Sequence, residues 1–181
     1  AQQSEHHPFT TVKKVFSVGL ICALMSAGTN IFRVFRSSPF MKSEQKQRLL
    51  NAKENIKAAQ LLAHSHFYDI SISRAYYAML YVAEALLLEQ AMAIPTQHEA
   101  INSLFAEQFS EKRPLFQPYG IYLNNGLEAR LRADYCHTER ATLADAKQHI
   151  NRAKAFLELA KHYLSAELVA VERVEVSAGR V

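Results

Sequence analysis

The sequence predicts an all-α protein, an antiparallel bundle of four to five helices. Three observations point there. The 181 residues include only 5 Gly, 5 Pro and no Trp, too few turn residues for a fold of many short strands. Ala, Leu, Glu, Gln, Lys and Arg, the strong helix formers, dominate the middle of the chain. Apolar residues recur at spacings of three and four along stretches that Pro95, Pro114 and Pro118 separate. Apolar residues make up 49% and charged residues 21%, which is globular rather than disordered composition.

The elements follow in order. Ser43 is placed to cap a first helix, with Leu49, Ala52, Ile56, Ala59 and Ala63 on one face. That helix ends near His66, and Tyr68-Asp69 makes the turn. Asp69 or Ser71 starts a second helix to about Gln90. Its face of Ala75, Tyr76, Met79, Val82, Ala83, Leu86 and Leu87 is wide enough for the centre of a bundle. Thr96-Gln97-His98-Glu99 has the form of a capping box and opens a third helix, with Ile101, Leu104, Phe105 and Phe109 inward. A fourth helix runs from about Pro118 to Tyr135 through Leu123, Leu127 and Leu131. Thr142-Leu143-Ala144-Asp145 resembles another helix start, and Ala146, Ile150, Ala153, Leu157, Ala160 and Leu164 continue it. Short connections set consecutive helices side by side. The patterned domain covers residues 41–166, and residues 167–181 read as a frayed C-terminal tail.

Residues 1–40 have another character. Lys13 and Lys14 precede an apolar run from Val15 to Met25, followed by Ser26, Ala27 and Gly28. The order basic, apolar, small is that of a secretory signal, and the run is too short to span a bilayer. The patterned helix that starts right after Met41 favours a leader upstream of a true start there. A membrane-surface segment and a working secretion signal are the other two readings. The formal charge of +4 is largely this segment's, which holds Lys13, Lys14, Arg33 and Arg36 against Glu5. The near-balance of the remainder gives little support for nonspecific nucleic-acid binding by charge alone. Cys22 and Cys136 are the only cysteines, so no disulfide framework is expected and a reducing cytoplasm suits the chain. CxxC and HExxH are both absent from the sequence, and neither a zinc site nor any other cofactor is expected.

The densest polar cluster is Arg130-Leu131-Arg132-Ala133-Asp134-Tyr135-Cys136-His137, at the end of the fourth helix. Arg130 and Asp134 are four apart and share a face. A histidine, one or two guanidiniums and a carboxylate can gather there. The set suits metal-free RNA cleavage: histidine exchanges a proton near neutral pH, a guanidinium neutralises a phosphate, and the ribose 2′-hydroxyl is the nucleophile. A plain Arg130–Asp134 helix ion pair with a surface His137 is the simpler account of the same spacing.

Ser73-Arg74-Ala75-Tyr76-Tyr77-Ala78-Met79-Leu80-Tyr81 resembles the SRAYYAMFY segment of HEPN-domain proteins. Leu49-Leu50, Ala58-Ala59-Gln60-Leu61-Leu62, Tyr68-Asp69, Ala85-Leu86-Leu87-Leu88, His98 and Arg130-x-x-Ala133-Asp134-Tyr135 are similar to that family's pattern too, in order and at similar spacing. The resemblance covers residues 41–166. It implies an all-α HEPN fold that dimerises, and in many members a metal-independent RNase with an Arg-x(4–6)-His motif. Many such members are toxins encoded beside a minimal nucleotidyltransferase antitoxin. Arg132 to His137 fits the motif with four intervening residues, and Arg130 to His137 fits it with six. On this resemblance His137 is the general acid/base, Arg132 or Arg130 holds the phosphate, and Asp134 orients one of them. Active members usually carry a polar residue after the arginine, whereas this chain has Ala133 or Leu131. That departure keeps a second expectation open: a catalytically silent module that docks a minimal nucleotidyltransferase or binds nucleotide or RNA. No stable membrane association is expected.

The remaining candidates have structural readings. Tyr76, Tyr77 and Tyr81 are expected in the core rather than stacked on bases, with Arg74 reaching Asp134 or another carboxylate. His64 and His66 suit the negative end of the first helix. His98 belongs to the capping box, and His149 and His162 are expected to face solvent.

Overall fold

The computed structural model describes residues 39–135 and 140–178, with side chains over 43–133, 135 and 140–165. Residues 1–38 of the leader, Cys136, His137 and the side chain of Asp134 lie outside the described residues. Helix α1 spans Pro39–His64, α2 Tyr68–Glu89 and α3 His98–Phe105. A π-helical turn, Ala106–Ser110, and a 3-10 turn, Pro114–Phe116, lead into α4, Gln117–Tyr135. Helix α5 spans Leu143–Ala178. Among the described residues there is no strand. The predicted all-α bundle is therefore the fold. No helix among the described residues is long and apolar enough to cross a membrane.

Helix α2 is the hub, packing against α1, α3, α4 and α5. Fifteen of its residues are buried, including Glu84, as its wide apolar face requires. Helices α1 and α2 run antiparallel. The Gln45 side-chain amide at the start of α1 donates to the Ala85 carbonyl and to Glu89 Oε2 near the end of α2. At the other end the Ser71 hydroxyl donates to the Ala59 carbonyl at 2.8 Å. The facing stripes are rich in alanine, with Ala52, Ala59, Ala75 and Ala78 fully buried. Small side chains let the two backbones approach closely. Helix α5 lies antiparallel to α1: Lys53 sits near Glu158, while His64 shares a cleft with Leu143 and Lys147.

A second packing centre is aromatic. Phe105 stacks on Phe109 with centroids 5.4 Å apart, and both meet Phe116 edge-on. Phe156 of α5 closes the cluster against Phe105 and Tyr119. The π turn adds a residue to the helical winding at Ala106–Ser110.

Several helix ends differ from the sequence pattern. The start of α2 is capped neither by Asp69 nor by Ser71. Phe67 holds the N-cap position without a side-chain bond, and the two polar side chains tie other elements instead. The Thr96–Glu99 capping box does not form, because Gln97 is the N-cap residue of α3 and makes no side-chain cap bond. At α5 the signal holds: the Thr142 hydroxyl and amide both donate to Asp145 Oδ2, and the Asp145 amide donates back to Thr142 Oγ1. Such a cap stabilises a helix start by about 1 kcal/mol. The α5 backbone stays helical to Ala178, beyond the point where the apolar stripe weakens. Helices α1 and α2 both end in Schellman turns. The Phe67 amide donates to the Leu62 carbonyl and the His66 amide to that of Ala63; Met92 and Ala91 repeat this on Leu87 and Leu88. The motif places His66 and Ala91 in the left-handed region, with φ of 65° and 55°.

Candidate functional site

The C-terminal turns of α4 present their two arginines to opposite sides, since residues two apart on a helix do not share a face. Arg130 is half-buried and turns toward α2 and α3. Its guanidinium carbon lies 5.3 Å from the Tyr77 ring centre, and Nη1 donates to His98 Nδ1 over 3.4 Å. Arg132 is exposed and faces the start of α5, where its charge reaches Asp145 and His149. Tyr135 is exposed. Asp134 follows on the same α4 backbone.

His98 joins this site from 32 residues away; its place in the capping box suggested a helix-terminal role, although it also belongs to the HEPN-like pattern. It sits at the start of α3, with ring centroids 5.7 Å from Tyr76 and 5.4 Å from Tyr77. Burial lowers its pKa, and the Arg130 charge lowers it further against a weaker opposing effect of Glu99. An arginine only donates, so His98 Nδ1 is the acceptor and the proton of the neutral ring is on Nε2. The ring thereby helps to fix where Arg130 points.

The tyrosines divide by burial. Tyr76 is fully buried, and burial pushes its phenol well above the ordinary value, against the lowering effects of Arg130 and Asn102. Tyr77 is half-buried and takes two guanidiniums, with Arg74 4.6 Å from its centroid in addition to Arg130. The expected core placement holds for Tyr76. Arg74 rests on the Tyr77 ring, and the carboxylate expected beside it, Asp134, has its side chain outside the described residues.

The segment after α4 is held at its far end. The Ala141 amide donates to Asp69 Oδ1 at 3.0 Å, linking it to the first turn of α2. Thr142 then caps α5. Five residues, 136–140, separate Tyr135 from Ala141, and His137 is among them. Asp69 thus ties the first turn of α2 to the approach to α5, a contact that local spacing did not reveal.

His149 does not face solvent as expected. It is 6% exposed, and its Nδ1 has no hydrogen-bond partner among the described residues. Burial lowers its pKa to about 4, helped by the Arg152 charge and opposed by Asp145. His162 is exposed, in line with expectation. His64 and His66 close the end of α1, and His66 Nδ1 lies 2.7 Å from the Tyr68 hydroxyl. Among the described residues no three of His, Cys, Asp and Glu gather closely enough to hold a metal ion.

Comparison with known proteins agrees with this architecture. The HEPN domain model matches residues 45–163. "Putative toxin MJ0142" of Methanocaldococcus jannaschii is 31% identical over 123 residues, 68% of this chain and 83% of the relative. "Putative toxin MJ0605" of the same organism is 31% identical over 122 residues, 67% of this chain and 90% of the relative. A UPF0332 protein of Gloeobacter violaceus is 29% identical over 126 residues, 69% of this chain and 99% of the relative. The match runs from the first turns of α1 to the middle of α5 and takes in the whole helical core, so the chain belongs to the HEPN domain family.

Proposed function

We propose that this HEPN protein is a toxin-type, metal-independent endoribonuclease that works as a homodimer. The observation that carries the reading is Arg132, solvent-facing on the last turn of α4 and followed by His137 after four residues. In this reading His137 takes the proton of a ribose 2′-hydroxyl. The 2′-oxygen attacks the adjacent phosphorus, the 5′-oxygen leaves with a proton, and a 2′,3′-cyclic phosphate remains. Arg132 neutralises the phosphate as charge develops on it. Arg130, laid on Tyr77 and His98, positions the end of α4, and Asp134 orients one of the guanidiniums. Leu131 and Tyr135, 39% and 75% exposed, flank Arg132 and suit the approach of a second copy. The toxin names of two relatives favour a partner antitoxin, which we take to be a minimal nucleotidyltransferase, in the cytoplasm.

The test is cleavage of single-stranded RNA by the purified full chain in EDTA. Loss of cleavage in His137→Ala and Arg132→Ala, with a smaller loss in Arg130→Ala, is the expected pattern. Unchanged cleavage in His137→Ala overturns it. A second reading, a silent module that docks the nucleotidyltransferase, is favoured by Ala133, an apolar residue directly after Arg132. A folded dimer that cuts no RNA but binds that partner selects it.

A further inference from the structure

A cleft of about 450 Å³ opens between the end of α1, the start of α2 and the first half of α5. Ala63 and Ile150 form its buried floor, and its walls carry His64, His66, Lys147 and Lys154. No carboxylate lines it. On α5, Lys147, Asn151 and Lys154 follow one another at four and three residues, so they share one face. The helix rise puts the two lysines roughly 10 Å apart along the axis. The facing face of α1 offers Gln60 and His64.

A basic stripe on a bundle helix is commonly matched by carboxylates on its neighbour, and the next turn of this pair shows that arrangement. Glu158 bonds Lys161 at 2.7 Å and lies near Lys53 of α1. In the cleft the match is absent. Among the described residues neither Lys147 nor Lys154 has a salt bridge. The nearest acid on α5, Asp145, is occupied by Thr142. The cleft also lies close to Ala141, four residues after His137 in the chain. Tyr68 lines it beside Asp69, whose carboxylate holds Ala141, and Leu143 lines it two residues later.

We propose that this cleft binds the phosphodiester backbone of single-stranded RNA, flanking the bond to be cut. The proposal rests on RNA being the substrate. Lys147 and Lys154 pair with phosphates, His64, Gln60 and Asn151 donate to backbone oxygens, and the Tyr68 ring offers a face to a base.

The experiment is fluorescence-anisotropy binding of a labelled single-stranded RNA to the full chain carrying His137→Ala, across a range of salt concentrations. The same measurement is made with Lys147→Gln and Lys154→Gln added. Both lysines are exposed, and circular dichroism checks that the helices persist. Each phosphate contact on a single strand contributes about 0.7 to the slope of log affinity against log salt. Removing both lysines is expected to lower that slope by about 1.4, and Lys147→Arg with Lys154→Arg is expected to retain it. An unchanged slope in the glutamine variant overturns the proposal, as does the absence of RNA binding before the lysines are changed. Cleavage by the chain with His137 intact reports on the RNase reading separately. A chain that cuts RNA with an unchanged slope loses the cleft alone, and a lowered slope without cleavage loses the RNase reading alone.

Discussion

Acid should weaken this fold through His149. The ring is buried on α5, and its pKa is held near 4 against an ordinary 6.5. A depressed folded pKa means that the unfolded chain binds the proton more readily. The stability this group contributes is therefore fully present above pH 6.5 and is lost as pH falls toward and through 4. A gap of about 2.5 units corresponds to roughly 3 kcal/mol when the loss is complete, of which about 2 kcal/mol is lost between pH 8 and pH 5. Other histidines and acids also titrate in this range, so the informative quantity is a difference. Urea unfolding of the wild type and of His149→Leu at pH 8 and pH 5 supplies it. The variant should lose about 2 kcal/mol less than the wild type on going to pH 5. Equal losses, within about 0.5 kcal/mol, refute the reasoning. So does a His149 ring proton that titrates near 6.5 by NMR.

Four other outcomes follow from the packing. Ala91→Gly should raise stability by about 0.5–1 kcal/mol, because Ala91 occupies the left-handed region at φ 55°; urea unfolding measures it. Gly126→Val should cost about 1–3 kcal/mol, since even a Cβ there comes within 2.9 Å of Met79 Cε and 3.0 Å of the Tyr76 ring; thermal unfolding reads the loss. Arg48→Met should cost about 3 kcal/mol at pH 7, because it leaves Glu84, 3.1 Å from Arg48 Nε, buried and unpaired. Burial already raises the Glu84 pKa, so the unpaired acid is tolerated once protonated, and the deficit should shrink as pH falls toward 4.5. Arg130→Ala should move the His98 pKa upward, toward its ordinary value, because the Arg130 charge is one of the causes that hold it down; an NMR titration of the His98 ring tests this.

Helix positions and the central place of α2 were legible because each rests on local periodicity. Thr142 was legible for the same reason: a cap and its partner stand three residues apart. His149 is buried although its residue type suits a solvent-facing position, because its place on the helix decides. It follows Ala146 by three and precedes Ala153 by four, both fully buried, so it falls inside the stripe whatever its polarity. His98 and Asp69 stood out in the HEPN-like pattern, but what they touch did not. Their partners, Arg130 and Ala141, are 32 and 72 residues distant, and nothing in a local window relates them. The α4 arginines lay between these cases. Their clustering was visible, whereas the division of Arg130 to Tyr77 and Arg132 to the start of α5 depends on how α4 packs.

The position of α5 matters while the chain is being made. The apolar girth of α2 is complete at Glu89, yet Phe156 and Leu157 of α5 stand some 67 residues later. At 5–20 residues per second that interval lasts roughly 3–13 s. Through it the side of α2 that α5 will cover stays open, although α1, α3 and α4 are made before α5, and that apolar strip is a natural hold for a chaperone. Asp69 likewise waits for Ala141 to emerge. A nascent chain therefore lacks that tie between the first turn of α2 and the approach to α5 until Ala141 has been made.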